Sequence, residues 1–352
     1  MSGMEAILEN VAIHAWTRVL SRAPGQANAP HESDAELVEL PGLPEHYLAI
    51  TIDTVAEEIR TGLYRDPTTM GWMAVMASLA DLAAVGADPL GLVVSASTPP
   101  EAGPAFVEGI ARGMEQACRS LGVFILGGDS NASPAVSLTG CAVGVVPRGA
   151  VLTRRGLEPG DALFLSGRAG AGNALGLVRL AGLPEEFFPE ERYRPKARLS
   201  VGQTLRGRAS ACMDTSDGVL ATLDQLMRLN GHGFEVGCDC STILGDDVLA
   251  LCERARAPQW MMLAGPHGEF ELAFTVRASR AGAFVEEARA WETRPIRIGT
   301  VQERPAITFT LPSGRRVDID MAPLRNLLET TGGDFKRYLK EFRELGSVWG
   351  LD

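Results

Sequence analysis

Residues 47–60 read YLAITIDTVAEEIR, and the reading of the whole chain turns on them. Apolar and small residues alternate from Leu48 to Ile52, the period of a half-buried strand, and the strand runs straight into Asp53. A carboxylate there either accepts backbone N–H bonds at the start of a helix or faces a bound cation. Arg60, seven residues on, is either a solvated helix residue or a fixed positive charge turned towards a ligand.

Outward from this stretch, strand and helix patterns alternate in both directions. An apolar period near 3.6 predicts a helix from Met1 to about Leu20, and the polar loop SRAPGQANAPHESDAE follows it. Strands are expected near 35–40 and 47–52, then an Ala/Met-rich helix, TTMGWMAVMASLADLAAVGA, with Gly86 close to its C-cap. Next come the strand LGLVVSAST, the amphipathic helix 103–122, and the strands VFILGGD and AVSLTGCAVGVVP. A second half opens at ALFLSG and contains helices at 171–182 and 194–207, the strand-turn-helix ACMDTSDGVLATLDQLMRLNG, and strands near 233–239, 271–276, 295–302 and 306–311. The tail DFKRYLKEFRELGSVWG is a charged helix with an apolar stripe. The class is α/β or α+β, with expected domains at 1–150 and 151–335 and a helical tail at 336–352.

The 352 residues suffice for two domains, and 45% hydrophobic with 22% charged residues is an ordinary globular composition. A formal charge of -11 argues against a nucleic-acid partner. The six cysteines form no C-x2-C pair, and the Cys238-Asp239-Cys240 spacing is too short for a usual zinc knuckle, so they read as buried thiols of a reducing compartment. The N-terminus is acidic and interrupted, unlike a secretory segment, and no run of about 18 apolar residues suggests a membrane span. A cytoplasmic protein is expected.

Asp53 is one of a set of carboxylates at turns or on apolar helices. Asp34 precedes a strand, Asp81 interrupts the helix MASLADLAAVGADP, Asp129 follows Gly127-Gly128, and Asp214 and Asp217 bracket MDTSDG. Taken singly, MDTSDG reads as a helix N-cap and GGDSNAS as a turn. Asp81 is the sharpest of the set, because Ala80, Leu82, Ala83, Ala84 and Val85 offer it no partner. Two bare carboxylates 4 Å apart repel by about 4 kcal/mol at an effective dielectric near 20, so a cluster of them calls for cations. With no His or Cys ligand cluster, the donor set suits Mg²⁺, which keeps substrate phosphate in its shell. Arg154 and Arg155, beside the turn RRGLEPGD, supply guanidinium groups for a phosphate. No P-loop and no kinase glycine-rich loop is present.

The segments AITIDT, LADLAAVGADP, LGGDS, VPRGAVLTRRGLEPGDALFLSG, MDTSDG, FELAFTV and IGTV resemble, in order and spacing, those of the thiamine-monophosphate kinase family. That family belongs with aminoimidazole ribonucleotide synthetase, selenophosphate synthetase and a hydrogenase maturation factor, and the resemblance covers roughly residues 30–335. It implies a two-domain aminoimidazole ribonucleotide synthetase-like fold, a homodimer closed through an intersubunit β-barrel, and ATP held with Mg²⁺ in the interdomain cleft. Carried over by position, Asp34, Thr51, Asp53, Asp81, Asp129, Asp214 and Asp217 match metal-binding residues, of which Asp53, Asp129 and Asp214 carry the catalytic expectation. Gly127, Gly128, Asp129, Arg154 and Ser216 match residues near ATP. The implied chemistry is in-line transfer of the γ-phosphoryl group to a phosphate oxygen of a small phosphorylated acceptor.

The departures from the family gather on the acceptor side. Ser33 replaces the first aspartate of Gly-Asp-Asp, SLAD places Ser78 and Ala80 where an amide and a hydroxyl are expected, and SNAS follows the Gly-Gly-Asp. Arg60 stands where a substrate-contacting histidine is expected, which suits a more anionic acceptor. GPHGEFEL is one residue longer than its counterpart, so the substrate glutamate is either Glu269 or missing, and Thr330 stands loosely at the position of a ring-covering aromatic residue. The alternatives are an ATP-dependent synthetase or kinase on another anionic acceptor, a non-catalytic nucleotide-binding module, and an interaction protein.

Overall fold

The computed structural model describes residues 3–237, 239–311 and 313–351. The first half comprises α1 (Leu8–Thr17), β1 (Glu36–Glu39), β2 (His46–Thr54), α2 (Ala56–Arg60), α3 (Pro67–Ala84), β3 (Asp88–Thr98), α4 (Gly103–Leu121), β4 (Ile125–Ala132) and β5 (Ser137–Pro147). The second begins with β6 (Ala162–Leu165), α5 (Ala171–Ala181), α6 (Leu199–Leu205), β7 (Ala209–Asp214), α7 (Val219–Asn230), β8 (Gly233–Gly237), α8 (Cys240–Ile243), α9 (Asp246–Ala255) and α10 (Trp260–Ala264). It ends with β9 (Leu272–Val276), α11 (Ala281–Ala288), β10 (Ile296–Gln302), β11 (Ile307–Thr310), β12 (Arg316–Ile319), α12 (Ala322–Arg325), α13 (Leu327–Thr330) and α14 (Phe335–Trp349).

Two mixed sheets carry these helices, in the orders β1-β2-β5-β3-β4 and β12-β11-β8-β10-β6-β9-β7. Antiparallel pairs dominate, with β3–β4 and β11–β8 parallel, which is the α+β form of the expected class. Two strands run further than their patterns suggest. β2 continues through Asp53 to Thr54 because β5 pairs with it along its whole length. β4 continues through Asp129 to Ala132 because β3 pairs with it in parallel. The helix expected at 194–207 is confined to Leu199–Leu205, since Pro195 disfavours helical backbone at Arg194.

α3 explains its own composition. It is buried on almost every face, so it needs no polar stripe, and Asp66 caps it by accepting from the Thr68 N–H beside Pro67. Gly140 on β5 lets this helix lie against the sheet, because a Cβ there would meet the Ala74 carbonyl at 2.5 Å and the Ser78 hydroxyl at 2.6 Å. Ser78 donates from that hydroxyl to the Gly140 carbonyl at 2.9 Å, a tether between helix and strand.

The chain termini meet on the second half. Asn10 of α1 donates to Gln225 of α7 at 3.3 Å, and Asn326 holds the Leu8 N–H at 2.9 Å and the Ala6 carbonyl at 2.9 Å. α14 buries Tyr338, Phe342, Gly346 and Trp349 along one stripe, with Trp260 edge-on to Phe342 and Trp349. Cys118, Cys212 and Cys252 are buried and Cys141 half-buried, all free thiols, whereas Cys238 of the Cys-Asp-Cys stretch lies outside the described residues. Among the described residues no helix is long and apolar enough to cross a membrane.

Candidate active site

The aspartates converge where α3, packed on β2 and β5 of the first sheet, also meets β7 of the second. β2 carries Thr51 and Asp53 at i and i+2, hence on one face, and the tight seat of α3 on Gly140 brings Asp81 to that face. Thr51 donates its hydroxyl to Asp81, and Asp53 shares a side-chain hydrogen bond with Asp81. From the second half, β7 ends on Asp214. Gly218, at φ +87, turns the chain into α7 so closely that a Cβ would meet the Gly265 carbonyl at 2.2 Å. Ser216 donates to Asp214 at 2.9 Å and fixes that carboxylate. Asp34, whose side chain is fully buried, is gripped through both oxygens by Nε and Nη2 of Arg154 at 3.2 and 2.9 Å.

Carboxylate oxygens of Asp34, Asp81 and Asp214 lie within 4.8 Å of one another. Among the described residues Arg154 is the only guanidinium bonded to them, and Asp53 and Asp214 each keep one buried oxygen without a partner. Burial, with the neighbouring carboxylates adding, raises Asp81 and Asp214 well above the usual carboxylate range. Burial also raises Asp53, and Asp217, although open to the cavity, is lifted to about 6 by desolvation and the nearby Glu9 carboxylate. Oxygens bound to one Mg²⁺ at about 2.1 Å stand roughly 3 to 4 Å apart, slightly closer than this bound, so the all-oxygen set with its unpartnered atoms suits a hard divalent cation once the carboxylates draw in around it. The same test fails for thiophilic metals, because no histidine or cysteine belongs to the group.

Asp217 opens from this cluster onto a cavity of about 360 Å³. Its acidic wall is Glu9, Glu57, Glu58, Asp217 and Glu329, and two guanidinium groups, Arg179 and Arg325, also reach it. Glu58 is pushed up by burial and has one buried oxygen without a partner. Leu324, Leu328, Phe335 and Tyr338 give the cavity an apolar side, and His267, held neutral by burial with its pKa lowered to about 4, sits opposite. Such a mixture of apolar wall and a few placed charges is what small-molecule sites are made of.

Several of the residues singled out in the sequence are not brought here: Arg60, Glu269, Asp129 with Gly127 and Gly128, and Thr330. Arg60 points to solvent, its side chain 71% exposed and paired with Glu57 at 3.6 Å; Glu57, Glu58 and Thr61 of the same segment face the cavity instead. Glu269 is buried and lines a separate cavity of about 230 Å³ with Tyr193, Arg198 and Glu271, accepting the Gly170 N–H at 2.6 Å at the start of α5, whereas His267 of the same GPHGEFEL block lines the cavity described above. Asp129 is exposed, bonded by Asn131 at 2.7 Å. It stands opposite Ser95 and Thr139, the row next to that of Asp53, Gly140, Val94 and Gly128. Alternation along a strand therefore puts it on the opposite face, about 14 Å away across three strand spacings. Gly127 and Gly128 share its strand. Thr330 does not line the cavity, and its hydroxyl bonds the Leu327 carbonyl.

The sequence reading passed over His267, Glu58, Arg325, Phe335 and Tyr338. Only His267 carried a local signal, as one of five histidines inside a block of irregular length.

Comparison with known proteins gives a consistent picture. Residues 32–146 match the family described as AIR synthase related protein, N-terminal domain. A thiamine-monophosphate kinase of Salmonella typhimurium is 31% identical over 257 residues, 71% of this chain and 77% of that protein. One from Archaeoglobus fulgidus is 30% identical over 275 residues, 78% and 83% of the two chains. The structure of AaThiL complexed with AMPPCP and TMP superposes with a TM-score of 0.70 at 24% identity, covering 88% of this chain and 94% of that one.

Proposed function

The chain belongs to the thiamine-monophosphate kinase family and is an ATP-dependent phosphotransferase, and from that footing we propose that it transfers the γ-phosphoryl group of ATP to thiamine monophosphate in the cleft described above. The observation that carries the reading is the continuity of the carboxylate cluster, through Asp217, with the 360 Å³ cavity. A nucleotide at the cluster and an acceptor in the cavity would meet at Asp217.

Each residue has a task in this scheme. Asp34, Asp81 and Asp214, with Asp53 and Asp217 beside them, would hold Mg²⁺, which would supply charge neutralisation for phosphoryl transfer. Thr51 orients Asp81, Ser216 orients Asp214, and Arg154 keeps Asp34 in place. The acceptor's phosphate oxygen is already ionised, so no general base is required and alignment is the main work of the protein. The acidic and aromatic walls, Glu58 with Phe335 and Tyr338, suit the cationic ring system of thiamine. Asp129, Gly127 and Gly128 enter only for a nucleotide that reaches β4, and they stay outside the phosphoryl-transfer centre proposed here.

The first sheet leaves Ile52, Val93, Phe124 and Leu126 exposed, and we propose that a second copy of the chain covers them in a homodimer. A monomeric mass at micromolar concentration by sedimentation would remove that part. The kinase reading is tested by incubating the chain with ATP, Mg²⁺ and a panel of anionic metabolites that includes thiamine monophosphate, scoring ADP, phosphate and product separately. Equal yields of ADP and thiamine diphosphate are expected. Release of free phosphate with another acceptor would favour synthetase chemistry, and nucleotide binding without turnover would favour a regulatory module.

A further inference from the structure

We propose that Arg325 grips the phosphate group of the acceptor and thereby selects phosphorylated over unphosphorylated ligands. The assignment rests on the kinase reading above and adds to it a residue from the short helices that follow the second sheet.

The cavity wall is rich in carboxylates, so a phosphate monoester entering it needs a fixed cation. Two guanidinium groups reach the wall, and they differ in what they have left to give. Arg179 has every nitrogen engaged: Nε donates to the Leu63 carbonyl, Nη1 to Glu185 and Nη2 to Glu190. Arg325 is anchored through Nη1 alone, which donates to Asp224 at 3.0 Å and to Gln225 at 3.0 Å. Asp224 is fully buried and is also held by Arg228 at 2.8 Å, so the anchor is rigid.

The other edge of Arg325 is open. Among the described residues its Nε–H has no partner, and Nη2 makes one long contact, 3.4 Å, to Glu9, whose side chain is 58% exposed. Nε and Nη2 form the forked edge that matches a carboxylate or phosphate with two parallel hydrogen bonds. Arg154 uses that same edge on Asp34, and Arg198 uses it on Glu271. Arg325 and Asp217, the residue that joins the cavity to the carboxylate cluster, line the same cavity. An acceptor phosphate bound there faces the cluster, and Glu9, 58% exposed and held by this one long contact, gives way into solvent.

The test compares calorimetric binding of thiamine monophosphate and of thiamine to the full chain and to Arg325→Met and Arg325→Lys, with ATP KM measured in parallel. In Arg325→Met the affinity for the phosphorylated ligand is expected to fall about 10- to 100-fold, while thiamine binding and ATP KM stay within twofold. Arg325→Lys keeps the charge without the fork and is expected to fall between, with the melting temperature of the parent. Equal losses for both ligands, or an ATP KM that rises in step, would show a structural role and overturn the assignment alone. Absence of turnover in the parent chain would overturn the kinase reading and this assignment with it.

Discussion

The carboxylate end of the cleft and its acceptor end are assembled differently. Asp53, Asp81 and Asp214 sit on regular elements, β2, α3 and β7, with Thr51 holding Asp81, Ser216 holding Asp214, and Asp53 bonded to Asp81. Glu9, Glu58, His267, Arg325 and Phe335 come instead from α1, the short α2, a loop, the short α12 and the first turn of α14. Charge chemistry that must be placed within fractions of an ångström rests on sheet and core helix. Ligand choice rests on segments that can be rebuilt without disturbing them.

The sharpest way to break this comparison is at the carboxylate end. Asp53→Asn removes one negative charge from a cluster that has a single guanidinium against it, so turnover is expected to drop by about 10³-fold. Stability without Mg²⁺ should be unchanged or higher, since buried like charges are relieved. Turnover within a few-fold of the parent, measured as ADP release at saturating Mg²⁺, would mean that the cluster is structural.

The same contrast governs what the sequence discloses. Each cluster aspartate lies in a stretch whose neighbours betray it: Asp81 is the one charge in α3, Asp214 and Asp217 frame a turn, and Asp53 closes an alternating pattern. Local pattern was enough for the strands and the long helices, because periodicity is a property of the segment itself. Face and distance were not legible. Asp129 looks equivalent to Asp53 in the chain, yet pairing of β4 with β3 sends it to the other face of the sheet. Arg325 gives no signal at all, since its importance comes from Asp224, about a hundred residues away, and from the docking of α1.

A smaller effect separates Glu269 from the site it was expected to occupy. Burial, with Glu271 adding, raises its carboxyl from 4.5 to about 8, so the folded chain keeps a proton that the unfolded chain releases. The stability tied to that proton is present below pH 4.5 and is lost as pH rises through 8. Glu269→Gln mimics the protonated form and still accepts the Gly170 N–H. Its melting temperature is expected to match the parent at pH 5 and to exceed it by roughly 5 °C at pH 9, with acceptor KM unchanged. A raised acceptor KM with no pH-dependent difference in melting would return Glu269 to the substrate site.

Arg60→His is the finest probe and has the smallest expected effect. Its side chain is 71% exposed, and its one ion pair, to Glu57 at 3.6 Å, joins two exposed groups of a kind that contributes about 0–1 kcal/mol. Glu57 itself lines the cavity, so losing the pair leaves that carboxylate free without moving the helix that carries it. Both KM values should stay within twofold of the parent. A fivefold change in acceptor KM with ATP KM constant would mean that the acceptor extends past Glu57 to the outer face of α2, and that the short helix, rather than the C-terminal segment, sets the limit of the site.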